Sequence, residues 1–319
     1  MDPPDLFNFE KQRSGGYGQI WKATTQMGEP RALKVFDDKI KKSLYDMLRE
    51  ATILKLVQGS PHVVKYFTIF NGNDTSVPNY GVLGSKLFLL LEYIDGSDMW
   101  DYPEDRRVEN MDWICKQCFD GLNFLHERNV VHRDLKGGNI MIEKARNESK
   151  GRVVIVDFGL SCVDPEVSDI PPCEIKHAGT YVYLSPEIAP YLTAQAAAPF
   201  KIEYANDVWG MGITLFEFFG FLAPGEGIKT LFPGFVWNGN SQDIYANLEK
   251  VTQTDFENGE NNAKVLMSIE TARSQSEDPD FKQKADVYII VLGYCFKPSD
   301  SRPRATVLKK TMDRLESFQ

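Results

Sequence analysis

The densest run of ionisable side chains in this sequence is His132-Arg133-Asp134-Leu135-Lys136-Gly137-Gly138-Asn139. Asp134 is suited to take a proton from an attacking hydroxyl, Lys136 to offset charge on a moving phosphoryl group, and Asn139 to ligate a metal through its amide oxygen. Further on, Asp157-Phe158-Gly159 follows an apolar run, and its carboxylate suits a Mg2+ ion held across phosphates. Lys34 stands inside the apolar run Ala32-Leu33-Lys34-Val35. A buried ammonium is costly without a charge beside it, and phosphate oxygens together with the Glu50 carboxylate would supply one. The loop Arg13-Ser14-Gly15-Gly16-Tyr17-Gly18-Gln19-Ile20 can bring backbone N–H groups close to a phosphate, because no Cβ intervenes at its glycines. It has no GK[ST] continuation and is not a Walker loop. Taken singly, the glycines equally fit an ordinary hairpin, and Lys34 a water-facing edge strand.

These residues need elements to position them. Phe7–Gln12, Gln19–Thr25 and Arg31–Phe36 read as short strands separated by Gly and Pro signals. From Lys41 to Val57, Leu44, Met47 or Leu48, Ala51, and Leu54 or Leu56 recur with a helical period. Strands return at Val63–Phe70 and Lys86–Tyr93, with a hairpin loop at Asn71–Ser85 between them. After Gly96 the pattern turns helical. One helix carries Ile114, Cys118, Leu122 and Leu125 on one face, and later ones are expected at Ala205–Phe219, Ser241–Val251, Ala263–Ser274, Ala285–Phe296 and Arg304–Leu315. The outcome is an α+β, two-lobed arrangement, β-rich over 1–94 and mainly helical over 95–319. A crevice between two such lobes is a natural ligand site.

Composition narrows the classes. The 319 residues carry a formal charge of −9, which argues against a nucleic-acid partner, since that needs a basic face. No apolar run approaches membrane-spanning length, and the first residues, MDPPDLFNFE, lack the pattern of a secretory signal. The five cysteines are scattered and odd in number, which argues against a disulfide framework. Cys115 and Cys118 have CxxC spacing without a second pair, so helix packing is expected of them. A reducing cytoplasmic or nuclear setting is expected.

In the order and spacing of these motifs the chain resembles the eukaryotic protein kinase family, from about Leu6 to Leu315. Further matches are Ser185-Pro186-Glu187, Asp207-Val208-Trp209 and Arg302-Pro303. The resemblance implies ATP and Mg2+, with the backbone of Gly15, Gly16, Tyr17 and Gly18 over the phosphates. Lys34, oriented by Glu50, would hold the α- and β-phosphates. Asp134 would be the catalytic base, and Asn139 and Asp157 would bind the metal. The strand ending at Leu91 would lead into a hinge where Glu92 and Ile94 read the adenine edge, with Ile20, Ala32 and Met141 around the ring and Asp98 near the ribose. Leu54, Tyr66, His132 and Phe158 would stack as an internal column, and Glu187 would pair with Arg302. Lys136 with Gly179-Thr180 points to the serine/threonine branch, hence to a protein substrate with a Ser or Thr acceptor.

The chain departs from the family pattern in several places. Arg13 stands for the first loop glycine, and Gly137-Gly138 for a usual Pro-Glu, which puts recognition of basic substrates in doubt. No Ser or Thr lies between Ser168 and Thr180. Glu174 paired with Arg133 could substitute for a phosphate there, or Ser168 could be the switch. Residues 240–280 hold nine acids against three bases, which fits either a docking face for a basic partner or a solvated surface. A scaffold that binds nucleotide without catalysis, and a kinase for a small molecule, are the competing functions.

Overall fold

The structure, a computed structural model, describes residues 5–15, 18–37, 41–71, 86–144, 151–163, 179–188, 204–220, 222–231, 267, 269–271 and 273–316. Five antiparallel strands form the first sheet in the order β1-β2-β3-β5-β4: β1 (Leu6–Gly15), β2 (Gly18–Thr25), β3 (Pro30–Asp37), β4 (Tyr66–Asn71) and β5 (Lys86–Glu92). Successive side chains on a strand face opposite sides. On β3, Leu33 and Val35 enter a small cluster with Leu6, Ala23, Phe70, Phe88 and Leu90. Ala32 and Phe36 pack into the main core instead, and Lys34 shares their face.

Helix α1 (Lys41–Leu56) packs on that face, against β3, β4 and β5. Met47, Ala51 and Leu54 are its buried stripe. Leu44, Leu48 and Leu56 are 45–46% exposed, so Leu44, expected on the inner face, lies on the outer one. The short apolar sequence alone did not resolve which of two adjacent stripes the sheet would cover.

The second half is built around α2 (Arg107–His126), with α3 (Tyr204–Phe219) and α6 (Ala305–Glu316) against it. Nearly every residue of α3 is buried, as expected of a helix enclosed on all sides. Helices α4 (Glu226–Leu231) and α5 (Pro279–Cys295) pack on α3. Two small sheets carry the loops of interest. One joins β6 (Gly96–Asp98), β8 (Ile140–Glu143) and β9 (Val153–Ile155), and the other joins β7 (Val130–Val131) to β10 (Cys162–Val163).

Two boundaries differ from expectation. The strand anticipated from Val63 begins at Tyr66, because Val63 bridges to Ile155 and Val64 N–H donates to its carbonyl in the second half. Helix α5 starts at Pro279 rather than Ala285. Asp278 accepts hydrogen bonds from the N–H groups of Asp280 and Phe281, and Pro279 suits the first helical position. Ser241–Val251 and most of Asn71–Ser85 lie outside the described residues. No described helix is long and apolar enough to cross a membrane.

Candidate functional site

Strand β3 sets Lys34 between Ile20 of β2 and Leu89 of β5, with its side chain under α1. Lys34 is 4% exposed. Its Nζ donates at 2.8 Å to both Glu50 oxygens and at 2.7 Å to Asp157 Oδ1. Burial opposes the ammonium, yet the carboxylates of Asp157 and Glu50 outweigh it and raise the Lys34 pKa. Burial pushes the Glu50 carboxyl up against the pull of Lys34. At Asp157 burial also favours the neutral form, but Lys34 prevails and holds the carboxyl below the usual range. Two carboxylates on one ammonium leave the cluster with an excess negative charge. The Asp157 side chain, 33% exposed, is its open side.

The catalytic-type loop is shaped from below by α3. Asp207, 1% exposed, accepts from His132 N–H at 2.7 Å, Arg133 N–H at 2.8 Å and His126 Nε2 at 3.2 Å. That clamp holds Arg133 at φ 69, a left-handed conformation uncommon for a side chain of its size. Asp157 adopts φ 63. Two such residues, one on each loop, mark stored strain of the kind found at functional sites. The loop of Asp134 and the segment before Asp157 are tied together directly: His132 Nε2 donates to Val156 O and Val156 N–H to Asn139 O, each at 3.0 Å.

Asp134 lies at the centre with every oxygen engaged. Oδ1 accepts from the Thr180 N–H and Oγ1, both at 2.8 Å, and Oδ2 from Lys136 Nζ and Asn139 Nδ2, both at 2.9 Å. Lys136 Nζ also reaches Thr180 Oγ1 at 2.6 Å. Asn139 Nδ2 gives its second proton to Asp134 O, so the amide oxygen is the atom left for a ligand. The Asp157 carboxylate and the Asn139 amide oxygen are hard oxygen donors, the kind Mg2+ takes, usually alongside phosphate oxygens. The two residues fit that ion. Thr180 is placed by Gly179, whose φ is 85 and whose position would set a Cβ 2.3 Å from Arg133 O.

Among the other expected site residues, Leu91 and Ile94 are buried, and Ile20, Ala32 and Met141 are half-buried. Asp98 is 2% exposed and accepts from Asp101 N–H at 2.9 Å, so one carboxylate oxygen serves the local turn. The Glu92 carboxylate pairs with Arg152 at 2.7 Å. Gly15 pairs with Gly18 across the β1–β2 turn, while Gly16 and Tyr17 lie outside the described residues. Leu54 and Phe158 are fully buried, Tyr66 packs on the same core, and the His132 and Phe158 rings stand 5.0 Å apart. Arg302 pairs with Glu187 at 2.5 Å. Ser168, Glu174 and most of 240–280 lie outside the described residues.

Three features escaped sequence reasoning. Asp207 was recognised only as part of a motif; an acid inside so apolar a helix was the available signal of a buried clamp. Trp100 lies over Gly137 and Gly138, where added Cβ atoms would come within 2.4 and 2.6 Å of its ring. No spacing indicated that contact. The third corrects an expectation. Cys115 and Cys118 are free and buried within α2, and burial pushes both thiols up, as helix packing implies. Burial likewise pushes Cys295 up to about 12. Cys162, however, is disulfide-bonded, where the scatter and odd count of the cysteines argued against a disulfide framework.

Comparison with known proteins agrees with this geometry. A family model described as Protein kinase domain matches residues 10–278. The chain is 26% identical over 235 residues to serine/threonine-protein kinase dst1 of Dictyostelium discoideum, covering 72% of this chain and 28% of that protein. It is 27% identical over 223 residues to serine/threonine-protein kinase 10 of Mus musculus, covering 68% and 21%. Calcium-dependent protein kinase 5 of Plasmodium falciparum is 25% identical over 99% of this chain and 50% of its own length. The chain therefore spans between about a fifth and a half of the length of these relatives.

Proposed function

Because this chain belongs to the protein kinase family, we propose that it is an active enzyme moving the γ-phosphate of ATP to serine or threonine hydroxyls of proteins, with Mg2+. The observation that carries the reading is the Asp134–Lys136–Thr180 cluster next to the Lys34–Glu50–Asp157 triad. Every charged group the chemistry needs is present, paired and held.

Each residue then has a defined task. Glu50 aims the Lys34 ammonium at the α- and β-phosphates. Asp157 and Asn139 hold the ion, which when bound neutralises phosphate charge. Asp134 orients the acceptor hydroxyl and accepts its proton as the oxygen bonds to phosphorus and the bond to ADP breaks. Its four existing hydrogen bonds make positioning its larger contribution. Lys136 offsets charge on the transferred group. Catalysis in this class is mostly positioning and electrostatic stabilisation.

Labelled ATP offered with a mixed peptide library, beside an Asp134→Asn control, tests the reading. Label on serine and threonine that disappears in the control supports it. Nucleotide binding with no transfer would establish a scaffold, and label on a small molecule alone would move the substrate class.

A further inference from the structure

Glu92 closes β5, and its carboxylate is held at both oxygens. Oε1 accepts from Lys65 N–H at 2.9 Å and Oε2 from Arg152 Nη2 at 2.7 Å. The Glu92 backbone N–H donates to Lys65 O, also at 2.9 Å. The same guanidinium reaches two further partners. Nε donates to Glu143 Oε2 on β8 at 2.8 Å, and Nη1 to Pro61 O, in the loop between α1 and β4, at 2.9 Å. Beyond Glu92, Asp95 O accepts from Lys144 N–H at 2.8 Å. Gly96 pairs with Glu143 so closely that an added Cβ would lie 2.0 Å from Ile142 O. The segment from Glu92 to Gly96 is thus fastened at both ends to the β8–β9 hairpin. Strand β8 carries Met141 and directly follows Asn139, and β9 ends two residues before Asp157.

Resting on the kinase reading above, we propose that Arg152 is a positioning residue for the nucleotide base: it sets the Glu92 carbonyl to accept from the exocyclic amino group of adenine. A carbonyl favours one base over another only if its direction is fixed before the base arrives, since ordering it on binding would offset the gain. The planar guanidinium is suited to that task. Its N–H groups leave in fixed directions, so three partners on three segments hold one another in register. The paired side chains of Arg152, Glu92 and Glu143 are 17–26% exposed. Ion pairs in such contact with water contribute little to overall stability, so the consequence of this one is local. Without Arg152, Glu92 and Glu143 lose the cation they share, and Glu92 keeps only the Lys65 N–H. The end of β5 is then free to turn, and the direction of its carbonyl is no longer set.

Calorimetric titration of the purified chain with ATP and with purine riboside triphosphate, which lacks the amino group, tests this in the presence of Mg2+. The wild type should prefer ATP about 5-fold, the worth of one neutral hydrogen bond. In Arg152→Ala the preference should fall to about 2-fold, with affinity lost for ATP and little lost for the analogue. Arg152→Lys keeps the charge without the fork and should lie between them. Tm should fall by no more than about 3 °C. Glu143→Gln is the second variant: it keeps the side-chain volume, weakens one partner of the guanidinium, and should lower the preference in the same direction. A residue that merely braces the fold would weaken both nucleotides alike. An unchanged preference in Arg152→Ala, or in Glu143→Gln should Arg152→Ala fail to fold, would therefore overturn the proposal. Binding of both nucleotides by the wild type without preference would overturn the role given to Arg152 alone, whereas binding of neither would overturn the kinase reading and this role with it.

Discussion

Thr180 gives two hydrogen bonds to a single oxygen of Asp134, one from its backbone N–H and one from Oγ1, each 2.8 Å long. Both bonds tie the segment before Ser185 to the loop that carries Asp134. Thr180→Ala removes Oγ1 and leaves the N–H. A hydrogen bond to a charged group is worth about 1.5–3 kcal/mol, so kcat should fall by about 10- to 100-fold with a smaller change in the KM for ATP. Thr180→Ser should recover most of the loss. Steady-state kinetics of the two variants decide it, and an unchanged kcat in Thr180→Ala would remove Thr180 from the site.

Asp207 supports the same loop from beneath. Asp207→Ala leaves the His132 and Arg133 N–H groups buried without acceptors, at about 1–3 kcal/mol each. The left-handed Arg133 also loses what holds it. A lower urea midpoint should therefore accompany loss of transfer activity, whereas Asp134→Asn should lose activity with a smaller change in stability. Denaturation curves of both variants measure the difference.

Trp100 covers the turn between Lys136 and Asn139. Gly137→Ala would set a methyl 2.4 Å from the indole, so the ring must move, at about 1–3 kcal/mol. In a Trp100→Ala background the same substitution should cost little. A double-mutant cycle measured by urea unfolding should show that coupling; additive costs would mean that the contact is not the source of the strain.

His62 gives a pH signature outside the site. Its Nδ1–H donates to Val153 O at 3.0 Å, and burial lowers its pKa. The unfolded chain therefore takes up the proton first, at about pH 6.5. Stability contributed by neutral His62 is complete above that value and is lost as pH falls toward the lower folded pKa. Between pH 8 and pH 5 the urea midpoint of the wild type should drop more than that of His62→Gln. Parallel pH profiles for the two proteins would show that His62 is not the titrating group.

The sequence by itself determined which residue types the site contains. Lys34 and Glu50 were legible because a buried charge is tolerated only with a partner, and Asp134, Asn139 and Asp157 because their motifs, in order and spacing, resemble those of the protein kinase family. The positions of the strands and of several helices followed from strand and helix periodicities, whereas the sheet order did not. The tertiary structure alone decided what orients those residues. Asp207 meets His132 and Arg133 across about 75 residues, Trp100 lies on Gly137, and Arg49 and Arg133 converge on Cys162. Each of these contacts depends on how α1, α3 and two short sheets pack. No local period encodes a distance between elements, because packing satisfies buried polar groups only after the chain has closed on itself.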